Sequence, residues 1–194
     1  MQHISIRIIN EEHASLSSVL QSIRMMLKRG HQNSPEAFFD VMRAMLFYID
    51  EIPEKQHHFK ESTLLFPLLA ARSGHCADVI EQLEKDHENG EPAVRELQHL
   101  LVAWEMLGES RRKEFEEETL KYIDFYSTHM RLEETVILPE ALKILTAEDW
   151  KNLDSAFQSN TDPLSERIQR IPMYDRLFTK IVMRAPAPIG LGHS

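Results

Sequence analysis

The chain of 194 residues carries a formal net charge of −9, with 31 acidic and 22 basic residues. A negatively charged body repels phosphate backbones, so the charge argues against nucleic acids and anionic membranes as partners. The single cysteine, Cys76, allows neither an intrachain disulfide nor a thiolate metal cage, so a metal site must use nitrogen and oxygen ligands. No segment approaches the ~20 apolar residues of a membrane span, and residues 1–10 show no secretion signal, so we expect a cytoplasmic protein.

Composition and periodicity favour an all-α fold. The chain has only six glycines, and no long stretch alternates apolar with polar residues. A first helix is predicted over residues 10–29, with Asn10 as its N-cap and Gly30 just past its end. His13 belongs to the apolar stripe of this helix and is therefore expected to point into the core.

A second helix is predicted to be capped by Ser34, with Pro35 in its first turn. Pro53 has no N–H and crowds the preceding turn, so we expect the helix to kink or restart there. The restarted part covers residues 54–72, and a second bend is expected at Pro67.

A third helix is predicted over residues 76–106, with an interruption where Gly90 and Pro92 occur close together. Either two short helices meet there, or the interruption has a local use, and the sequence leaves both interpretations open. A fourth helix, capped by Ser110, is predicted to run to about residue 145.

Thr146 is predicted to start a shorter helix that ends near Phe157, and a polar linker follows over residues 158–163. One or two further short helices, broken at Pro172, and a Pro-rich tail over residues 185–192 complete the chain.

Four long helices with short links predict an antiparallel up-down four-helix bundle with additional short C-terminal helices. We assign residues 1–157 to this bundle and residues 158–194 to a C-terminal extension. The tail either packs along the bundle or reaches a partner subunit, in which case the protein would be a homodimer.

One eleven-residue motif occurs twice, beginning at His57 and again at His129. Each copy reads His, three residues, Glu, Ser or Glu, Thr, three apolar residues and Pro. Residues four apart share one face of a helix, so His57 with Glu61, and His129 with Glu133, each form a pair of candidate ligands. Imidazole beside carboxylate is a ligand set for divalent iron, manganese or zinc.

Two further histidines complete the pattern, because Glu12 precedes His13 and Asp86 precedes His87. With helix directions alternating, one such histidine from each helix reaches the same level of the bundle. Two buried carboxylates there need cations to offset their charge. We therefore predict two metal ions with six ligands, one bound by His13 and His57, the other by His87 and His129, and both bridged by Glu61 and Glu133. The competing interpretation is an ordinary bundle whose His and Glu side chains lie on the surface.

Over about residues 8–146 the chain resembles the haemerythrin-like proteins with an HHE cation-binding domain. The resemblance rests on His57-His58-x-x-Glu61 followed by Leu65-Phe66-Pro67, and on His129-x-x-x-Glu133 followed by Leu138-Pro139. It implies a non-haem di-iron centre in a four-helix bundle, with the six residues named above as ligands.

Two positions depart from the oxygen-carrying haemerythrins. Those proteins have a second histidine one turn after the third-helix histidine, where this chain has Glu91, and an Asp five residues after the last histidine, where this chain has Glu133 after four. His58, about 100° round the helix from His57, and Glu91 are therefore candidates for additional metal ligands.

Three functions remain as hypotheses. The first is a protein whose di-iron centre binds oxygen or nitric oxide for sensing, storage or transfer, and this is preferred over a turnover enzyme. The second is a di-iron oxidoreductase or an iron–sulfur repair factor, for which Tyr48, Tyr122 and Tyr126 are candidate acids or bases. The third is an interaction module with a structural metal; manganese or zinc would suit the same ligands.

Overall fold

The computed structural model describes residues 3–31, 34–164 and 172–192, and these residues form a helical bundle with short C-terminal helices. The α-helices in chain order are α1 (Ile4–Arg29), α2 (Pro35–Ile49), α3 (His58–Lys60), α4 (Phe66–Arg72), α5 (Ala77–Leu107), α6 (Arg112–Leu132), α7 (Leu138–Ile144), α8 (Ala147–Phe157) and α9 (Asp175–Arg184). Three π-helical segments, Asp50–His57, Glu61–Leu65 and Glu133–Ile137, join some of them end to end. Among these described helices, none combines the length and hydropathy that crossing a bilayer would require.

Helix α1 begins at Ile4, so the predicted start at Asn10 is wrong. The additional turns are stabilised by tertiary contacts, since Ile6 and Ile9 are buried. The backbone N–H and the hydroxyl of Ser5 both donate to Asp154 on α8, each at 2.7 Å. Packing against α8 thus extends a helix beyond its local sequence signal.

The second long helix runs over residues 35–72 without a break, so the expected restart at Pro53 is wrong. Pro53 lies inside the π-helical segment Asp50–His57. In a π turn each N–H bonds to the carbonyl five residues back, and proline removes one such bond without ending the helix. Pro67 follows the π-helical segment Glu61–Leu65 directly, so its missing N–H falls where the hydrogen-bond pattern of the helix changes.

The third long helix, α5, is also continuous, so of the two interpretations of Gly90 and Pro92 the meeting of two short helices is wrong. Gly90 is buried and packs against Tyr126 of α6, and Val94 is buried two residues past Pro92. Helix–helix packing on both sides of this stretch therefore outweighs the poor local helix propensity.

The fourth long helix comprises α6, the π-helical segment Glu133–Ile137 and α7. A 3₁₀ turn over Glu109–Arg111 precedes it, so Ser110 lies within that turn and is not the predicted N-cap. The two copies of the motif share one backbone path. Each passes from α-helix into a π turn at its Glu, and each returns to α-helix with Pro as the second residue.

A polar layer separates two apolar cores in the bundle. Along each long helix the motif histidines and their neighbours lie between residues of the larger core and residues of the smaller one. The larger core includes Val19, Met45, Leu101 and Ile123, and the smaller one includes Ile9, Leu69, Leu83 and Ile137. The order of the two cores reverses from each long helix to the next, as antiparallel packing requires.

The C-terminal extension packs along the bundle. Helix α8 starts directly after Thr146, its predicted N-cap. Residues 165–171, which belong to the last predicted helical region, lie outside the described residues. The tail returns to α1, where the Ser22 hydroxyl donates to the carbonyl of Pro186 at 2.9 Å and accepts from the N–H of Ile189 at 3.2 Å. Of the two arrangements left open for the tail, the structure shows packing along its own bundle.

Replacing Thr146 with Ala should lower the free energy of unfolding by about 1 kcal/mol. The Thr146 hydroxyl accepts from the N–H of Asp149, and the Asp149 carboxylate accepts from the N–H of Thr146, so the substitution removes half of a capping box at the start of α8. Urea unfolding followed by circular dichroism measures the loss. Thr179→Ala is the matched control, since Thr179 is exposed within α9. Equal stabilities of the two variants would contradict the capping role.

Candidate metal centre

Seven side chains from the four long helices meet in the polar layer and form two groups that share one carboxylate. The first cluster is His13, His57, Glu61 and Glu133, and the second cluster is His58, Glu61, His87 and His129. Within each cluster the candidate ligand atoms all lie within 4.8 Å of one another. All six predicted ligands are therefore in the layer, together with His58.

In the first cluster two ring nitrogens and two carboxylates converge. The Nε2 atoms of His13 and His57 are 3.2 Å apart. The Nε2 of His13 lies 3.1 Å from an oxygen of Glu133, and the Nε2 of His57 lies 3.2 Å from an oxygen of Glu61. The arrangement suits one cation held by two imidazoles and two carboxylates.

The second cluster repeats this arrangement around His87 and His129, whose Nε2 atoms are also 3.2 Å apart. The Nε2 of His129 lies 3.2 Å from the other oxygen of Glu133, and the Nε2 of His87 lies 3.7 Å from Glu61. Glu61 and Glu133 thus each face histidines of both clusters, which is the position that a bridging carboxylate occupies.

Each imidazole of the two clusters is also held from behind at its Nδ1 atom. The five contacts are His57 to Glu12 at 2.7 Å, His13 to Glu134 at 3.0 Å, His58 to Glu54 at 3.1 Å, His129 to Asp86 at 3.3 Å and His87 to Ser62 at 2.8 Å. A carboxylate only accepts, and the Ser62 hydroxyl already donates to Glu84, so these contacts assign a proton to every Nδ1. A neutral imidazole so protonated presents its Nε2 lone pair to the centre of the layer.

If all five imidazoles are neutral, the centre of the layer lacks positive charge. All four carboxylate oxygens of Glu61 and Glu133 are buried without a hydrogen-bond partner. Lone pairs that face each other at 3.2 Å repel, and an unpaired buried carboxylate costs several kcal/mol. Protons on the imidazoles or metal ions between them would remove both problems.

Burial and the neighbouring carboxylates also shift the pKa values of the side chains in the two clusters. Burial opposes protonation of His129, but Glu133 and Asp86 outweigh it and raise the pKa of His129 to about 10. Burial also opposes protonation of His57, yet Glu61 and Glu12 raise its pKa well above the usual value. Burial and the charge of Glu133 together raise the pKa of Glu61. Protons and metal ions would therefore compete for the Nε2 atoms of His57 and His129.

The two acid–histidine pairs of the sequence act across helices. Glu12 supports His57 and not its neighbour His13, and Asp86 supports His129 and not His87. Successive residues on a helix point about 100° apart, so the histidine faces the layer while the acid reaches the next helix. The adjacent acid and histidine of each pair are visible in the sequence. The contact of each acid with a histidine on another helix depends on how the helices pack.

Glu91 is not brought to either cluster. Its side chain is 41% exposed and pairs with Arg95 one turn later. The other candidate for an additional ligand, His58, is buried in the second cluster and stacks against His87, with ring centroids 4.3 Å apart. The three tyrosines considered as acids or bases lie in two places. Tyr122 and Tyr126 donate hydrogen bonds to Glu54, and Tyr48 lines a cavity.

That cavity adjoins the first cluster. The cavity has a volume of about 10 Å³, roughly the space for one water molecule. Its walls are Glu12, His13, Leu16, Tyr48, Ile52, Pro53, His57, His58 and Met130.

Replacing Glu133 with Ala should reduce the number of bound metal ions below two per chain while the protein stays helical, because one carboxylate faces both clusters. Metal analysis after gel filtration and circular dichroism measure the two quantities. Glu117→Ala is the control, since Glu117 is exposed on α6 and pairs with Lys113. Two ions per chain in Glu133→Ala would show that Glu133 does not bridge.

Comparison with known proteins agrees with this geometry. A family model described as the hemerythrin HHE cation binding domain matches residues 4–141, a span that includes every residue of both clusters. No curated protein matches the chain. Because the matched residues make up well over half of the sequence, the chain belongs to the hemerythrin HHE cation-binding domain family.

Proposed function

We propose that the chain binds two non-haem iron ions, one at each cluster, and that the ion at the first cluster takes a diatomic ligand, oxygen or nitric oxide, for sensing, storage or transfer. His13 and His57 would hold the first ion and His58, His87 and His129 the second, with Glu61 and Glu133 between them. When bound, such ions supply a redox-active centre with affinity for small gases.

One observation carries the metal proposal. Five imidazoles and two carboxylates converge in a buried layer, and every one of the five rings has a polar contact at Nδ1. Imidazoles that only packed in a core would not need a common orientation, whereas metal-binding imidazoles commonly show this outer contact.

The ligand types are compatible with iron. Imidazole and carboxylate suit iron, and also manganese and zinc, so the family and the donor set narrow the choice without ending it. Elemental analysis of protein purified without chelators identifies the metal that the cell supplies.

A difference between the two copies of the motif indicates where a gas would bind. In the first copy of the motif His58 follows His57, and in the second copy Met130 follows His129. The second cluster therefore has three imidazoles and the first has two. Both imidazoles of the first cluster line the cavity beside Met130, whereas only His58 of the second cluster does. Thioether and aliphatic walls, among them Leu16 and Ile52, suit a neutral diatomic molecule.

Anaerobic loading with ferrous iron, followed by oxygen or nitric oxide, tests this function. We expect new near-ultraviolet and visible absorption that disappears when the gas is removed. Irreversible change with consumption of a substrate would instead support the alternative, a di-iron oxidoreductase or an iron–sulfur repair factor. No change with either gas would contradict the proposal.

Replacing Leu16 with Phe should weaken gas binding at least tenfold while two metal ions remain bound, because the larger ring fills the cavity beside the first cluster. Gas titrations of the iron-loaded protein, with metal analysis, measure both effects. Leu120→Phe is the matched control, since Leu120 is an exposed residue of α6. Unchanged gas affinity in Leu16→Phe would place the ligand elsewhere.

A further inference from the structure

Glu54 belongs to neither cluster, yet three polar side chains contact its buried carboxylate. Its carboxylate is 1% exposed. It accepts hydrogen bonds from the hydroxyls of Tyr122, at 2.9 Å, and Tyr126, and it lies 3.1 Å from Nδ1 of His58. Three donors thus converge on one buried acceptor, and two of them come from a different long helix.

Gly90 on α5 provides the space that this arrangement requires. A Cβ atom at position 90 would collide with the Tyr126 hydroxyl and lie 2.8 Å from both carboxylate oxygens of Glu54. Such approaches are far inside van der Waals contact, so any larger residue would displace the carboxylate or the phenol. This requirement explains a glycine inside a continuous helix, where it otherwise weakens stability.

The three features occur where the two halves of the repeat differ. Positions counted from the motif histidines pair as Glu54 with Tyr126, His58 with Met130, and Gly90 with Leu16. Leu16 and Met130 line the cavity, whereas Tyr126 bonds to Glu54 and lies against Gly90. The departures at Glu54, Tyr126 and Gly90 therefore meet at one carboxylate, which in turn contacts His58.

We propose that Glu54 is the positioning residue that makes His58 a ligand of the second metal ion. The inference rests on the proposed metal binding and adds to it a residue outside the coordination sphere. Glu54 accepts the Nδ1 proton of His58, which leaves the Nε2 lone pair free for an ion held together with Glu61, His87 and His129. Tyr122 and Tyr126 fix the carboxylate so that it can do this.

Stacking limits the remaining freedom of the ring. The His58 ring lies nearly parallel to Tyr126, with centroids 5.6 Å apart at 7°, and to His87, with centroids 4.3 Å apart at 17°. Stacking alone fixes the plane of an imidazole but not which nitrogen carries the proton. The hydrogen bond to Glu54 fixes the proton, and outer contacts of this kind commonly change metal affinity 10–100-fold.

Replacing Glu54 with Leu should weaken binding of the second ferrous ion 10–100-fold and leave the first ion bound, as measured anaerobically by chelator competition. Glu54→Gln keeps a carbonyl acceptor of the same length and should restore most of this affinity. A merely structural role for Glu54 predicts a loss of thermal stability with both ferrous affinities unchanged, and that result would overturn the proposal.

A double-mutant cycle with His58→Ala separates an effect through His58 from any other. If Glu54 acts through His58, the Glu54→Leu, His58→Ala variant should bind the second ion no more weakly than His58→Ala alone. Additive losses would overturn the proposal. Should Glu54→Leu fail to fold, the Glu54→Leu, Tyr122→Phe, Tyr126→Phe variant also removes the hydroxyls left unpaired and undergoes the same titrations.

The wild-type protein distinguishes this proposal from the one on which it rests. Wild-type protein that binds no ferrous iron would disprove the metal function itself. Wild-type protein that binds two ions, with Glu54→Leu binding two at unchanged affinity, would disprove only the role of Glu54.

Discussion

Two carboxylates buried between two apolar cores impose the constraint on which the rest of the structure depends. Glu61 and Glu133 expose almost no surface, and their four oxygens lack hydrogen-bond partners. Such groups are stable only with positive charge close by. The five imidazoles that surround them provide either protons or coordination for metal ions, and the outer contacts at Nδ1 favour coordination.

The repeat makes the site nearly symmetric, and its departures make the two clusters chemically different. Both copies of the motif share the π turn that begins at the Glu, and π turns often occur at functional sites. His58 gives the second cluster a third imidazole, whereas Met130 leaves the first cluster beside a cavity. On this asymmetry rests our proposal that a gas binds at the first cluster, which has fewer imidazoles than the second.

The sequence predicted the bundle and the proximity of the six candidate ligands, because helical spacing and alternating helix direction follow from the chain alone. It did not predict the continuity of the helices at Pro53 and Gly90, since local propensity signals a break where tertiary packing maintains a helix. The role of Glu54 was also missed. Its hydrogen bonds join residues 68 and 72 positions apart, and no local pattern encodes them.

Native mass spectrometry of the chain after anaerobic loading with ferrous iron tests the central claim most directly, because it counts bound ions in each intact molecule. The two clusters of the structure predict a principal species with two iron ions per chain. A principal species without iron would show that protons alone balance the buried carboxylates, and it would contradict the account.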